Sequence, residues 1–445
     1  MIVDETPGRQ PSTTVAPGVL DRLIAPASLA DFAETIWGRL PLLARGERSA
    51  RGQAASAHPY VSDAADHGID GLFSPEAVDE LLTTRGLRAP FLRIAKQGRT
   101  LADSDFTSGG GVGAGIRDQV SDDRVRRQFA SGATIVLQGL HRTWEPIVEF
   151  SQALAAELGH PVQVNAYVTP PGNQGFSAHY DVHDVFVLQV HGAKAWRVHA
   201  PVWPDPLRSQ PWDERRDAVA AAAENAPLID AEVAAGDVLY LPRGYIHSAA
   251  APADAEQVSI HLTVGIHTWT RAHLVDAALE QIRALLAHEP SLRGSLPLGL
   301  DVSDPRMLDT DIEVVRQAIV RSAGQVSETA LAASLLAGAR ASQRAAPLSV
   351  LAQVADARAL TLSDRLHLRA HLLAHLEHDS TTSQVTVRSR AGRATVSAQC
   401  IPALQRLLAG EQISVHELHP DRNAALEAGR LLLVEGVARL ANGGE

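Results

Sequence analysis

The chain has 445 residues, 45% of them hydrophobic and 20% charged, which suffices for the cores of two or three domains. A formal net charge of −11 disfavours general binding to nucleic acid or an anionic membrane and favours a basic protein partner. Cys400 is the single cysteine, excluding an internal disulfide and a multi-cysteine zinc site. No long apolar run suggests a membrane span, and the polar start Glu5-Thr-Pro-Gly-Arg-Gln-Pro lacks a secretory pattern, so a cytoplasmic protein is expected.

Residues 1–20 read as a disordered tail. Ser28 to Trp37 has helical spacing, with Leu29, Phe32, Ala33 and Ile36 on one side and Ser28 and Asp31 as a start signal. Pro75 to Leu82 gives a second short helix, after a polar connecting loop. Phe91 to Ala95 reads as a strand. Gly109-Gly-Gly-Val-Gly-Ala-Gly115 lacks the Lys-Ser/Thr and the leading strand of a phosphate-binding loop. It is expected to be a flexible loop, a lid at the mouth of a site. Ala133 to Gln138 is a strand, and Pro146 to Leu158 an amphipathic helix through Ile147, Phe150, Leu154 and Leu158.

Strand-like segments then follow at 162–169, 176–190, 193–199, 237–242, 245–250 and 257–266. Turns such as Pro170-Pro-Gly-Asn and Arg243-Gly244 separate them, the pattern of a double-sheet jelly roll. The Pro- and Ala-rich stretch 201–231 is expected to form a helix over one rim.

Within this run, His179 and Asp181 are two residues apart and would share one face of a strand. A charge among apolar strand residues is costly unless a metal or partner neutralises it. His247 arrives just after the Pro-Arg-Gly turn. Two imidazoles and one carboxylate on one face of a metal leave the opposite positions open, which suits non-haem Fe(II). His183 continues the same face if the strand is regular and is a second candidate ligand. Asp184, His183 and Gln189 are candidates to orient the ligands.

Of 40 basic residues only Lys96 and Lys194 are lysine, so Lys194 marks a place for a compact ammonium. Near an Fe(II) site it suits the distal carboxylate of 2-oxoglutarate. Asn165 and Tyr167 share a face of their strand, as do Ser259, His261 and Thr263 of theirs. These polar groups are expected to line the barrel and hydrogen-bond the co-substrate, a satisfied core polar group being the competing role for each.

Beyond the strands the pattern turns helical at 269–287, through Leu274, Ala278, Ile282 and Leu285, and again at about 310–322 and 327–340. The last hundred residues open with helix, form a hairpin over Val385 to Val396 around Ala391-Gly392, and end in helices at about 400–409 and 421–441. Segment 346–445 holds ten arginines and ten acidic residues, so nucleic acid is not the expected partner despite Arg388, Arg390 and Arg393 on the hairpin.

Asn165-Ala-Tyr-Val-Thr-Pro, His179-Tyr-Asp-x-x-Asp-Val-Phe-x-Leu-Gln, Gly192-Ala-Lys-Ala-Trp-Arg, Asp237-Val-Leu-Tyr-Leu-Pro-Arg-Gly and Ser259-Ile-His-Leu-Thr together carry a resemblance. The chain resembles the JmjC-type ribosomal oxygenases, Fe(II)- and 2-oxoglutarate-dependent hydroxylases of ribosomal-protein side chains, over most of its length. The resemblance implies an α+β protein: a double-stranded β-helix (JmjC/cupin jelly roll) over 21–268, a helical dimerisation region over 269–345 and a winged-helix domain over 346–445. It matches His179, Asp181 and His247 to the iron ligands, and Lys194 and Asn165 to positions contacting 2-oxoglutarate. It implies a homodimer that hydroxylates a histidine or arginine of a ribosomal protein. Three other readings stay open: the same iron chemistry on a biosynthetic peptide or amino acid, demethylation of methyl-lysine, and a non-catalytic regulator sensing metal or a keto acid.

Overall fold

The apolar runs after residue 160 become strands of two sheets in the computed structural model, which describes residues 17–47, 59–62, 65–113, 115–301, 303–378 and 381–441. Two units are present, one from 1–158 and 163–266, the other from 159–162 and 267–445. In the first, strands are β1 (Leu42–Ala44), β2 (Leu92–Lys96), β3 (Arg99–Thr100), β4 (Thr134–Leu137), β5 (Val162–Thr169) and β6 (Asp184–His191). They continue as β7 (Ala193–His199), β8 (Ile229–Ala234), β9 (Val238–Leu241), β10 (Ile246–Ala250) and β11 (Ser259–Ile266).

The larger sheet runs β1-β9-β6-β11-β5-β4-β2-β3, and the smaller runs β8-β7-β10. Pairing is antiparallel where β6 meets β9 and β11, and on both sides of β7. This is a cupin-type jelly roll with helices added. Its central strand β6 is apolar and buried on both faces, which is why it reads as a continuous hydrophobic run. Val185 and Val187 pack with Trp196, Val198, Ile229, Val233, Leu239 and Leu241 between the sheets. On the outer face Phe186 meets Tyr240 and Phe32, with ring centroids 5.0 and 6.2 Å away. Burying each such ring stabilises by roughly 1.5–3 kcal/mol. Gly192 makes the tight β6–β7 turn at φ +62°, where a Cβ would sit 2.4 Å from the Val258 carbonyl oxygen.

Several sequence expectations change here. Residues 1–16 of the expected tail lie outside the described residues, but a helix already runs over Val19–Ile24. Its cap comes from far away: the Glu157 carboxylate accepts the amides of Val19 and Leu20, at 2.9 and 2.6 Å. The expected strand 176–190 begins only at Asp184; before it, the chain is irregular and touches the small sheet through single bridges at Gln174–Ala250 and His179–His247. The stretch 201–231 contains the helix Arg216–Ala223 and then enters β8. The glycine-rich loop joins two-residue strands at Thr107–Ser108 and Gln119–Val120, and its described residues do not line the cleft discussed below.

In the second unit, helices Arg271–Leu286, Asp309–Ala323 and Glu328–Ser342 lead to Val350–Ala359. A three-stranded sheet follows, in which Gln384–Ser389 pairs with His375–His378 on one side and Gly392–Ser397 on the other. The hairpin turn falls on Arg390-Ala391 rather than Ala391-Gly392. Helices Ile401–Leu408 and Arg422–Val434 complete a core around Leu404, Leu407, Leu432 and Leu433. The expected helix to 441 stops at Val434, because Ala438–Leu440 adds a strand beside Arg365–Leu368.

Candidate metal centre

His179, Asp181 and His247 come together, with one ligand atom from each lying within 4.8 Å of the others. Strand alternation is not the cause. His179 is pinned to β10 by a two-way backbone bridge: His247 donates to the His179 carbonyl at 2.8 Å, and His179 donates back at 3.1 Å. Asp181 is held by its carbonyl, which accepts the Gly244 amide at 3.0 Å. The turn Pro242-Arg243-Gly244 thus fixes Asp181 on one side and launches His247 on the other. Gly244 adopts φ +90°, and a Cβ there would meet the Trp203 carbonyl oxygen at 2.6 Å, so only glycine fits.

The imidazoles are oriented for ligation. Nδ1–H of His179 donates to the Ser177 carbonyl (2.8 Å), and Nδ1–H of His247 to that of Tyr245 (3.1 Å). A carbonyl only accepts, so each Nε2 is left with its lone pair for a metal. His247 Nε2 lies 3.8 Å from Asp181 Oδ2. Burial, reinforced by His179, keeps the His247 pKa well below its ordinary value, so the ring is neutral. Burial alone would raise the Asp181 carboxyl, but His183, His247 and His179 together hold it below its usual value. One Nε2 from each imidazole and an ionised carboxylate are the kind of donor set a divalent ion takes.

His183 is not in the group. Its ring packs over Gly265, where a Cβ would approach its Nε2 to 2.5 Å, and it does not line the cleft. Asp184, fully buried, accepts the Arg243 amide at 2.9 Å and the Tyr240 hydroxyl at 3.3 Å, tying the start of β6 to the turn before His247. Gln189 lies elsewhere, donating to Ser259 Oγ at 3.0 Å.

The triad opens into a cleft also lined by Tyr167, Lys194, Thr263 and His261. Lys194 is buried, donates to Thr169 Oγ1 at 3.2 Å, and has no carboxylate partner recorded among the described residues. Burial brings its pKa down to about 7. Burial, and then the Asp181 charge, push the Tyr167 phenol up to about 12, so it keeps its proton.

Two expected co-substrate contacts fall outside the cleft lining. Asn165 Oδ1 accepts the Gly139 amide at 3.0 Å. Ser259 lies further along β11 than His261 and Thr263, where its Oγ accepts a hydrogen bond from Gln189 Nε2 at 3.0 Å. Residues not foreseen enter instead. Thr169, two residues beyond Tyr167, shares Tyr167's face and supports Lys194; Trp196 shares Lys194's face by the same rule. Thr134, whose hydroxyl meets that of Thr169 at 3.1 Å, and Phe176 carried no signal. Trp212, from the stretch 201–231, brings its ring to 6.1 Å from that of His179.

Residues 141–274 match the JmjC domain model. The chain is 30% identical to ribosomal oxygenase 1 of Gallus gallus over 244 residues, 54% of this chain and 35% of that protein. It is 36% identical over 143 residues to the bifunctional lysine-specific demethylase and histidyl-hydroxylase NO66 of Drosophila mojavensis, 31% of this chain and 15% of the other. The chain therefore spans about a third or less of the length of these relatives. The crystal structure of the Escherichia coli ribosomal oxygenase YcfD superposes with a TM-score of 0.49 at 16% identity, covering 93% of this chain and 98% of that one. Residues 141–274 are thus similar to the JmjC domain, and about half of the chain is similar to a ribosomal oxygenase.

Proposed function

We propose that this protein is an Fe(II)- and 2-oxoglutarate-dependent oxygenase that hydroxylates a histidine or arginine side chain of a ribosomal protein. The observation that carries the reading is one cleft holding both a two-histidine, one-carboxylate triad and a buried lysine with no carboxylate partner among the described residues. The relatives' names, ribosomal oxygenase and histidyl-hydroxylase, support the reaction and substrate class.

His179, Asp181 and His247 would hold the iron through one face, leaving the other to co-substrate and oxygen. Bound there, iron with 2-oxoglutarate and oxygen supplies the oxidation that converts a C–H bond to C–OH, with succinate and carbon dioxide as co-products. Lys194 would pair with the distal carboxylate, an anion that offsets the cost of burying its ammonium. Thr169 holds the ammonium in place, and Tyr167, protonated, can donate a hydrogen bond from the wall. The Ser177 and Tyr245 carbonyls fix the ligand tautomers, so the chelate geometry exists before the metal arrives.

The same reading divides the chain at 268 and 345, with a helical region that pairs two copies and a winged-helix-like docking module. It is supported by exposed apolar residues on the helices, such as Val275, Leu279 and Val320, at 55%, 50% and 67% exposure. No described helix is long and apolar enough to cross a membrane.

The test is to incubate the iron-loaded protein with 2-oxoglutarate and unmodified ribosomal proteins, and to measure their intact masses. One protein gaining a single oxygen atom, with none gained by His179→Ala, is the expected result. Succinate formation without any such product would move the substrate to a peptide or small molecule. No iron-dependent succinate at all would refute the oxygenase reading.

A further inference from the structure

The wall of the cleft contains a buried polar atom that the reading above does not use. His261, on β11, is 3% exposed and lines the cleft, and its Nδ1 has no hydrogen-bond partner among the described residues. Nor is the ring free to turn toward solvent. It stacks on Tyr167, with centroids 5.0 Å apart and planes 4° from parallel, and meets Trp196 edge-on at 5.5 Å. Trp196 Nε1, in the same wall, is likewise buried without a partner. Buried donors left unpaired are uncommon in folded proteins and mark places where something else completes them.

The electrostatics indicate what would complete them. Burial, then the Lys194 ammonium, holds the His261 pKa well below its ordinary value, so the ring is neutral. A neutral imidazole next to a buried ammonium offers an N–H without adding a second repelling cation. A carboxylate has two oxygens and accepts several hydrogen bonds, whereas Lys194 and the Thr169 hydroxyl form a compact point of attachment. An anion arriving there would select the Nδ1–H tautomer of His261.

We infer that His261 donates from Nδ1 to the distal carboxylate of the co-substrate, so that Lys194 and His261 together select a dicarboxylic keto acid over a monocarboxylic one. This rests on the co-substrate proposed above and deepens it. His261 is then a specificity-determining residue, distinct from the groups that hold the metal.

The experiment uses the full chain loaded with Co(II), titrated calorimetrically with 2-oxoglutarate and, separately, with pyruvate, which has the keto-acid end but no distal carboxylate. His261→Phe keeps the stacked ring and removes the donor; His261→Asn returns an N–H near the Nδ1 position. His261→Phe should weaken 2-oxoglutarate by about tenfold and leave pyruvate and Co(II) affinity unchanged, with His261→Asn recovering most of the loss. Unchanged 2-oxoglutarate binding in His261→Phe would overturn the inference, as would an equal loss for both keto acids, which is the mark of a structural role or a resident water. Independently of any variant, a histidine Nδ1–H resonance should become protected when 2-oxoglutarate is added to the Zn(II)-loaded, 15N-histidine-labelled protein. The same resonance appearing with pyruvate, or with neither, would also overturn it. If the wild-type metal-loaded chain does not bind 2-oxoglutarate, the co-substrate reading itself fails, and that outcome is separate from failure at His261.

Discussion

Replacing Lys194 with methionine should stabilise the ligand-free protein while removing its co-substrate site. The ammonium is buried beside a hydroxyl, and burial brings its pKa from 10.5 to about 7. At about 1.36 kcal/mol per pH unit, that gap corresponds to about 5 kcal/mol working against folding while the lysine is charged. Relaxation and water entry reduce the figure, so a gain on the order of 3–5 kcal/mol is expected for Lys194→Met at pH 6. The sign of the pH dependence is fixed. Between about 7 and 10.5 the unfolded chain binds the proton that the folded chain has released, so wild-type stability rises with pH across that window. The variant lacks this titration, and its advantage should shrink by about 2.5 kcal/mol between pH 6.5 and 9. Urea unfolding of the metal-free proteins at the two pH values, followed by tryptophan fluorescence, measures both quantities. A variant less stable than wild type at pH 6, or an advantage that does not change with pH, would show that Lys194 is not a buried uncompensated cation. In the metal-loaded protein, the same substitution should weaken 2-oxoglutarate by about a hundredfold or more.

Other substitutions test the turn and the ligands. Gly244→Ala places a Cβ 2.6 Å from the Trp203 carbonyl oxygen at φ +90°, so it should cost about 2–3 kcal/mol in unfolding free energy and weaken Co(II) binding through Asp181. Asp184→Asn loses a buried charged acceptor of the Arg243 amide and Tyr240 hydroxyl. It should cost about 2 kcal/mol and reduce Co(II) affinity about tenfold by calorimetry, although Asp184 touches no metal. His179→Ala should fold with a thermal midpoint near wild type, because its ring is only half-buried, yet show no Co(II) absorption band. Light scattering should give twice the monomer mass for the full chain, and Val275→Glu with Leu279→Glu should return it to the monomer value.

The jelly roll was readable from the chain because β5, β6, β7 and β11 are apolar runs of strand length separated by turns. The triad was readable for a different reason from the one that holds. Alternation predicts one face for His179 and Asp181, but the backbone there is irregular, and their meeting depends on the bridge to His247 and the Gly244 amide. His183 shows the consequence, since regular alternation would have made it a ligand and the real chain packs it over Gly265. Ser259 keeps the period but is taken up by Gln189 further along the strand, a partner that a two-residue period does not reveal. The helix at Val19–Ile24 was invisible because its cap is Glu157, well over a hundred residues away. Lys194, by contrast, stood out through its rarity alone.

The outer face of the jelly roll places the N-terminal arm in contact with the chemistry. Gly38 donates its amide to the Tyr240 hydroxyl at 2.9 Å, and that hydroxyl donates to Asp184, which accepts the Arg243 amide. Burial lifts the Tyr240 pKa well above 10, so this relay keeps its proton at any physiological pH. A second strut runs from the Arg39 carbonyl to the Tyr245 hydroxyl at 2.6 Å, and the Tyr245 carbonyl orients His247. Residues 38 and 39 lie about a hundred positions before the matched JmjC segment, yet they brace both the turn and a ligand. A protein trimmed to its recognisable domain would keep His179, Asp181 and His247 and lose the buttress that aims them.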